Sequence, residues 1–165
     1  MIKIGVLSDT HLKDRKEGVA FLARLAERFL ADVDMVFHAG DLVDPNVLGA
    51  FAPLPVHAVQ GNMDPPGYGL PFKKVISVGG ARIGLIHGWG VADTLEERVM
   101  GEFLGEDLDC LVYGHSHQST CRRLGSLLLF NPGSPTDRRG APFHSVGVLE
   151  VDQGVSGRIL CIDDR

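Results

Sequence analysis

The residue types able to do chemistry fall into five short clusters: Asp9-Thr10-His11, Gly40-Asp41, Gly61-Asn62-Met63-Asp64, His87-Gly88 and Gly114-His115-Ser116-His117. Their side chains are carboxylates, imidazoles and a carboxamide, with no lysine or arginine among them. Such a set wants a cation, and mixed imidazole and carboxylate donors suit Mn, Fe, Ni, Co or Zn better than Ca or Mg alone. Taken singly, each cluster has a plainer reading. Asp9-Thr10-His11 fits a strand-end turn closed by an Asx cap, Gly40-Asp41 and Asn62 fit turns, and His87 fits a core histidine. The five together, in this order, are what points to a metal site.

For the clusters to meet, a strand must end just before each one. Residues 2–7 form a short apolar, β-branched run, read as a buried strand. Asp14 with Glu17 three residues later reads as a capping box. Phe21, Leu22, Leu25, Phe29 and Leu30 then recur at helical spacing. Residues 35–38 are the second strand. Asp44-Pro45 opens a short helix through Phe51, and 56–59 is the third strand. This βαβαβ order implies parallel pairing. Residues 64–71 read as a loop, and 74–78 with 82–86, split by Gly79-Gly80, as a hairpin. Asp93 with Glu96 is expected to cap a helix whose buried stripe is Leu95, Val99, Met100, Phe103 and Leu104. Strands follow at 110–113, 119–124, 127–130, 145–151 and 155–160, making the last third β-rich and mostly antiparallel. The fold class is α/β: two facing mixed β-sheets in a sandwich flanked by helices. Ligands of α/β sheets gather at the carboxyl ends of the strands, where all five clusters lie.

Composition narrows the function further. The 165 residues are read as a single domain, 1–165, large enough to fold without a staple. Acidic residues number 21 against 16 basic ones, a formal charge of −5, which argues against bulk nucleic-acid binding. Three cysteines, Cys110, Cys121 and Cys161, have no C-x-x-C spacing, so neither a disulfide scaffold nor a zinc ribbon is expected. The N-terminus enters a strand-like run at once, and no stretch reads as a bilayer helix. The expected location is therefore cytoplasmic, and association into a homo-oligomer stays open.

The order D-x-H, G-D, G-N-x-[DE], strand-end His and G-H-x-H resembles the calcineurin-like metallophosphoesterase superfamily, whose third motif is usually G-N-H-[DE]. The small size, the lack of a cap insert and Asn131-Pro132-Gly133-Ser134 resemble its compact bacterial and archaeal phosphodiesterases, relatives of the Vps29 scaffold proteins. The resemblance implies the four-layer α/β/β/α sandwich of that family and two divalent metal ions per chain, Mn foremost with Ni, Co, Fe or Zn as alternatives. Asp9, His11, Asp41 and His117 would hold the first metal. Asp41, Asn62, His87 and His115 would hold the second, so Asp41 bridges. A hydroxide between the two metals would attack a small soluble phosphodiester in line. Two dications outweigh Asp9, Asp41 and that hydroxide, so an acidic protein can still attract an anion. A phosphomonoesterase and a metal-binding Vps29-like scaffold are the alternatives; the four histidines at positions 11, 87, 115 and 117 favour the enzyme.

One position departs from the family pattern. Where it places a histidine after the asparagine, this chain has Met63, which has no proton to give. Asp64 and His38 are the candidate substitutes, His38 also reading as a strand-end histidine bonded to backbone. Trp89 either walls the cleft or covers the core edge. Arg122–Arg123 and Arg138–Arg139 either grip a distal phosphate or lie on the solvated surface. Ser134 is either a cleft serine or a turn former.

Overall fold

The apolar run at the N-terminus forms strand β1 (Ile2–Leu7), and its two faces enter two different cores. Ile4 and Val6 point into a central cluster, while Leu7 joins a second cluster under the helix that follows. That double burial is why the run is apolar without alternation. The computed structural model describes residues 1–163, so the last two residues of the 1–165 span lie outside the described residues.

Helix α1 (Arg15–Phe29) starts where the capping box places it, with the Asp14 carboxylate accepting from the Glu17 N–H at 2.9 Å. It leads into β2 (Met35–His38). A 3-10 helix, Pro45–Phe51, follows, with Asp44 as its side-chain cap, and then β3 (Val56–Ala58). β1, β2 and β3 pair in parallel, as the βαβαβ order predicts. The hairpin is β4 (Lys73–Val78) with β5 (Ala81–Ile86). Beyond helix α2 (Leu95–Gly101) come β6 (Cys110–Val112), β7 (Thr120–Leu124), β8 (Leu127–Asn131), β9 (Ser145–Val151) and β10 (Val155–Cys161). Among the described residues the strands make two five-stranded sheets, β10-β9-β1-β2-β3 and β4-β5-β6-β8-β7.

The central cluster draws Ile4 and Phe37 from the first sheet and Ile83, Val112 and Phe130 from the second, so the sheets face each other across it. α1 and the 3-10 helix cover the outer face of the first sheet, through Leu22, Leu25 and Val47 against Leu7 and Val148. α2 covers the other, through Leu95 and Val99 against Ile86 and Leu129. The four layers are thus α/β/β/α. Among the described residues no helix is long and apolar enough to cross a membrane.

The last third is mostly antiparallel as expected, through β7 with β8 and β9 with both β10 and β1, while β6 runs parallel to β5 and β8. Two expectations are corrected. Asp93 and Glu96 do not cap α2. Asp93 lies in a preceding 3-10 turn (Ala92–Thr94), and the Glu96 carboxylate is taken by the Tyr113 hydroxyl and by Arg122. Leu104 leaves the buried stripe and is 86% exposed, because α2 ends at Gly101 and the helical phase stops there.

Candidate metal centre

The five clusters begin at the carboxyl ends of β1, β2, β3, β5 and β6, and the facing of the two sheets turns all five ends toward one point. To aim side chains there, the backbone bends sharply. Asp9, His11, Asp41, His115 and His117 all have φ between +46° and +73°. That left-handed region costs a side-chain-bearing residue about 1–3 kcal/mol each, and such strain gathers at functional sites. The clusters also approach closely. A Cβ on Gly61 would overlap Asp41 Oδ1, and one on Gly114 would overlap Ser8 Oγ and stand 2.8 Å from Asp9 Oδ2. Glycine at both positions is a steric requirement.

Each carboxylate divides its oxygens between scaffold and centre. Asp9 Oδ2 accepts from the Ser8 hydroxyl at 2.7 Å and from the His115 N–H at 3.0 Å. Asp9 Oδ1 faces His117 Nε2 at 3.4 Å, His87 Nε2 at 3.8 Å and His11 Nε2 at 3.9 Å. Asp41 Oδ1 accepts from the Met63 N–H at 2.8 Å. Asp41 Oδ2 faces His87 Nε2 at 3.3 Å and His11 Nε2 at 3.6 Å. Among the described residues, Asp9 Oδ1, His11 Nε2 and His117 Nε2 are buried polar atoms without a hydrogen-bond partner. Orphaned buried acceptors are costly, and a shared cation would satisfy all three at once.

The imidazoles are held by backbone carbonyls on the side away from the centre. His87 Nδ1–H donates to Ala39 O at 2.8 Å, His115 Nε2–H to Gly90 O at 2.8 Å, and His117 Nδ1–H to Asp137 O. This is how metal-binding histidines are oriented and fixed in one tautomer. Two groups of donors reach one another, Asp9 with His11 and His117, and Asp9 with Asp41 and His87. Asn62 Oδ1 adjoins the second at 3.1 Å from His87 Nε2, and the His115 ring stands 5.3 Å from that of His87. Asp9 therefore reaches both groups, which its assignment to the first metal alone did not foresee.

Charge follows the same geometry. Burial disfavours the ionised forms of Asp9 and Asp41, but hydrogen bonds and charge from His117 and His87 outweigh it and hold both carboxyls below the usual range. Burial likewise opposes the imidazolium forms of His87 and His117, and bonding to Asp41 and Asp9 overcomes it and raises both. A cation binding here must displace the protons favoured on His87 and His117, so its affinity falls as pH drops.

Residues 2–154 match the family model of the calcineurin-like phosphoesterase superfamily domain. The chain belongs to that superfamily. It is 42% identical over 154 residues to a probable metallophosphoesterase of Methanothermobacter thermautotrophicus, spanning 90% of this chain and 86% of that one. Among solved structures, a conserved uncharacterised protein of Streptococcus pneumoniae, a predicted phosphoesterase, superposes with a TM-score of 0.74 at 28% identity, over 97% of this chain and 89% of that one. Vps29 of Entamoeba histolytica complexed with zinc superposes with a TM-score of 0.68 at 25% identity, over 98% and 100%.

In this member of the superfamily, the two candidate substitutes for a proton donor, Asp64 and His38, are both engaged by the scaffold. Asp64 is buried, and its carboxylate accepts four backbone N–H groups, from Asp41, Leu42, Val43 and Gly61 at 2.7 to 2.9 Å. A carboxylate so saturated binds loops together. His38 is fully buried, with Nδ1 accepting from the Gly40 N–H at 3.0 Å and Nε2 3.1 Å from the Thr10 hydroxyl. Burial pushes it down to about 4, so it is neutral near pH 7. Met63 itself is 51% exposed.

Sequence reasoning singled out the 131–134 string but not Thr136, nor the way this loop clamps the centre from behind. Ser134 Oγ donates to Asp9 O at 2.8 Å and Thr136 Oγ1 to Thr10 O at 2.8 Å, while Asn131 Nδ2 donates to Gly114 O at 3.2 Å. Their only signal was the Asn-Pro-Gly-Ser string, which reads equally as a turn. Arg122 pairs with Glu96, Arg123 reaches Val155 O, Arg138 reaches the carbonyls of Ala141 and Pro142, and Arg139 faces Asp137. Trp89 is partly exposed beside Asn62 and Gly88, so it walls the cleft and does not cover a core edge.

Proposed function

We propose that this chain is a dinuclear metal-dependent phosphodiesterase acting on small soluble phosphodiesters. Asp9, His11, Asp41 and His117 would hold one divalent metal, and Asp41, Asn62, His87 and His115 the other. The observation that carries the reading is the trio of buried, unpartnered atoms, Asp9 Oδ1, His11 Nε2 and His117 Nε2, in a pocket of acceptors. The position of Asp41 Oδ2, close to both His11 and His87, supports a bridging role. When bound, the metals supply positive charge for the phosphoryl oxygens and make water acidic enough to ionise near neutral pH.

The protein's own groups do the rest. Backbone carbonyls of Ala39, Gly90 and Asp137 fix the imidazoles, so no reorganisation is needed as charge develops. Ser8 and the Met63 N–H hold the carboxylates at a single rotation each. Asp64 positions the loops of Asp41 and Gly61 and delivers no proton. A cavity bordering the centre at Asn62 and another that reaches His11 offer room for ester arms, which supports a diester.

The deciding experiment combines metal analysis with a phosphoester panel on the purified protein, before and after chelation. We expect about two metals per chain, with Mn²⁺, Ni²⁺ or Co²⁺ restoring activity far better than Mg²⁺, because the imidazoles prefer softer cations. Asp41→Asn should abolish turnover and empty at least one site. Near-wild-type turnover with two metals in Asp41→Asn would refute the assignment, and tight metal without turnover on any ester would favour a scaffold.

A further inference from the structure

Beside the metal centre lies a cavity of about 430 Å³, walled by Gln60, Asn62, Phe72, Gly88, Trp89 and Glu102. It touches the centre directly, because Asn62 is a candidate ligand and Gly88 follows His87. Its other walls have no part in the metal chemistry and need their own explanation. Phe72 is 51% exposed and Trp89 39%, and their ring centroids stand 5.9 Å apart with the planes inclined at 42°. Neither ring belongs to the described cores. Two large adjacent aromatics left in solvent at the lip of a cleft are the signature of a surface that receives a ligand.

The polar walls say what kind. Among the described residues neither lysine nor arginine lines the cavity, and Glu102 is paired with Lys73 Nζ at 3.3 Å, so the walls offer a second phosphate no free counter-charge. Gln60 gives one amide N–H to Asp64 O, and its amide oxygen, like the Glu102 carboxylate, accepts hydrogen bonds. A group suited to these walls is flat, uncharged, aromatic and able to donate N–H or O–H at its edge.

We propose that this cavity is the specificity pocket for one ester arm, binding a planar uncharged aromatic group against Phe72 and Trp89 while the phosphate sits at the centre. The assignment rests on the phosphodiesterase reading for the phosphate and on the pocket alone for the aromatic arm. Phe72 and Trp89 are then specificity-determining residues. The aromatic group could be a simple aryl ester or a nucleobase, and the two are separable by experiment.

Trp89 is the only tryptophan of the chain, so its fluorescence reports the pocket without labelling. The metal-loaded protein is titrated with phenylphosphonate, a nucleoside monophosphate and methylphosphonate. Saturable changes in Trp89 emission are expected with one or both aromatic ligands and not with methylphosphonate. A response to phenylphosphonate alone identifies an aryl arm, and a tighter response to the nucleotide identifies a base. No response to either aromatic ligand, or an equal response to methylphosphonate, overturns the proposal. In kinetics, Phe72→Leu and Trp89→Leu should each lower the ratio of kcat/KM for a phenyl diester over a methyl diester about ten-fold, since stacking on an aromatic ring is worth that order. An unchanged ratio in both variants also overturns it. If the wild type hydrolyses no phosphoester, the phosphodiesterase reading falls, and the fluorescence titration still decides the pocket.

Discussion

At the scale of single residues, the substitution of Met63 for a histidine has the sharpest chemical consequence. Without a donor there, the leaving oxygen of the proposed reaction would depart largely as the anion. A missing general acid costs roughly 10²–10⁴-fold, and the loss falls on poor leaving groups. Rates across a series of diesters should therefore depend steeply on leaving-group pKa. Met63→His should raise rates on alkyl esters more than on aryl ones; a flat dependence with no selective gain would show that another group supplies the proton. His38 makes a second prediction. Burial sets its folded value near 4, against about 6.5 for the unfolded chain. Between those values the unfolded chain holds a proton that the folded protein does not. Stability thus falls as pH drops from 6.5 toward 4, by about 3 kcal/mol for this group alone. Urea unfolding at both ends of that window should show the loss in the wild type and a smaller one in His38→Gln.

At the scale of elements, the centre is built where loops from different strands are tied to one another. Asp64, just past β3, holds the backbone of 41–43, just past β2, through three of its four N–H contacts. Asp64→Asn would set an amide NH₂ against N–H donors that now meet a carboxylate oxygen. We expect a loss of about 1–3 kcal/mol in unfolding free energy, together with weaker metal binding by calorimetry. Metal affinity unchanged in a folded Asp64→Asn would show that the 40–43 loop keeps its shape without this tie. Gly61→Ala acts on the same junction by overlap with Asp41. Overpacking of that kind costs about 1–3 kcal/mol, and metal content should fall with it.

At the scale of the whole molecule, one metal-binding point gathers residues from both sheets, so loading it should stabilise the sandwich as a unit. We propose the 1–165 span as one domain, and expect a single cooperative thermal transition, because the central core is shared by the two sheets. At a hundred-fold excess over Kd, a bound metal adds about 2.7 kcal/mol, which for a protein of this size is roughly 5–10 °C in Tm. Calorimetry with and without a chelator checks both statements. Two separate transitions, or a Tm indifferent to metal, would contradict them.

The sequence by itself determined most of the elements and the candidate donors. The apolar run of β1, the Asp14 cap of α1 and the parallel order of the first strands are local or near-local patterns, set by burial on one or two faces and by capping chemistry. The D-x-H, G-D, G-N and G-H-x-H strings named the candidate donors, of which Asp9, His11, Asp41, His87 and His117 come within reach of one another, because imidazole and carboxylate side chains at strand ends have few structural uses in such number. Only the tertiary structure decided how they are employed. Asp64 reads as an acid in the sequence and is a four-fold backbone acceptor in the fold; Ser134 reads as a cleft serine or a turn former and in the fold clamps the Asp9 loop more than a hundred residues away. Leu104 fell out of its stripe because α2 stopped early, and Trp89 became a cleft wall because Phe72, seventeen residues earlier, came to lie beside it. Such roles depend on contacts between distant segments. A residue type shows what bonds a side chain can make, and only the packing of two sheets shows which partner is there to make them.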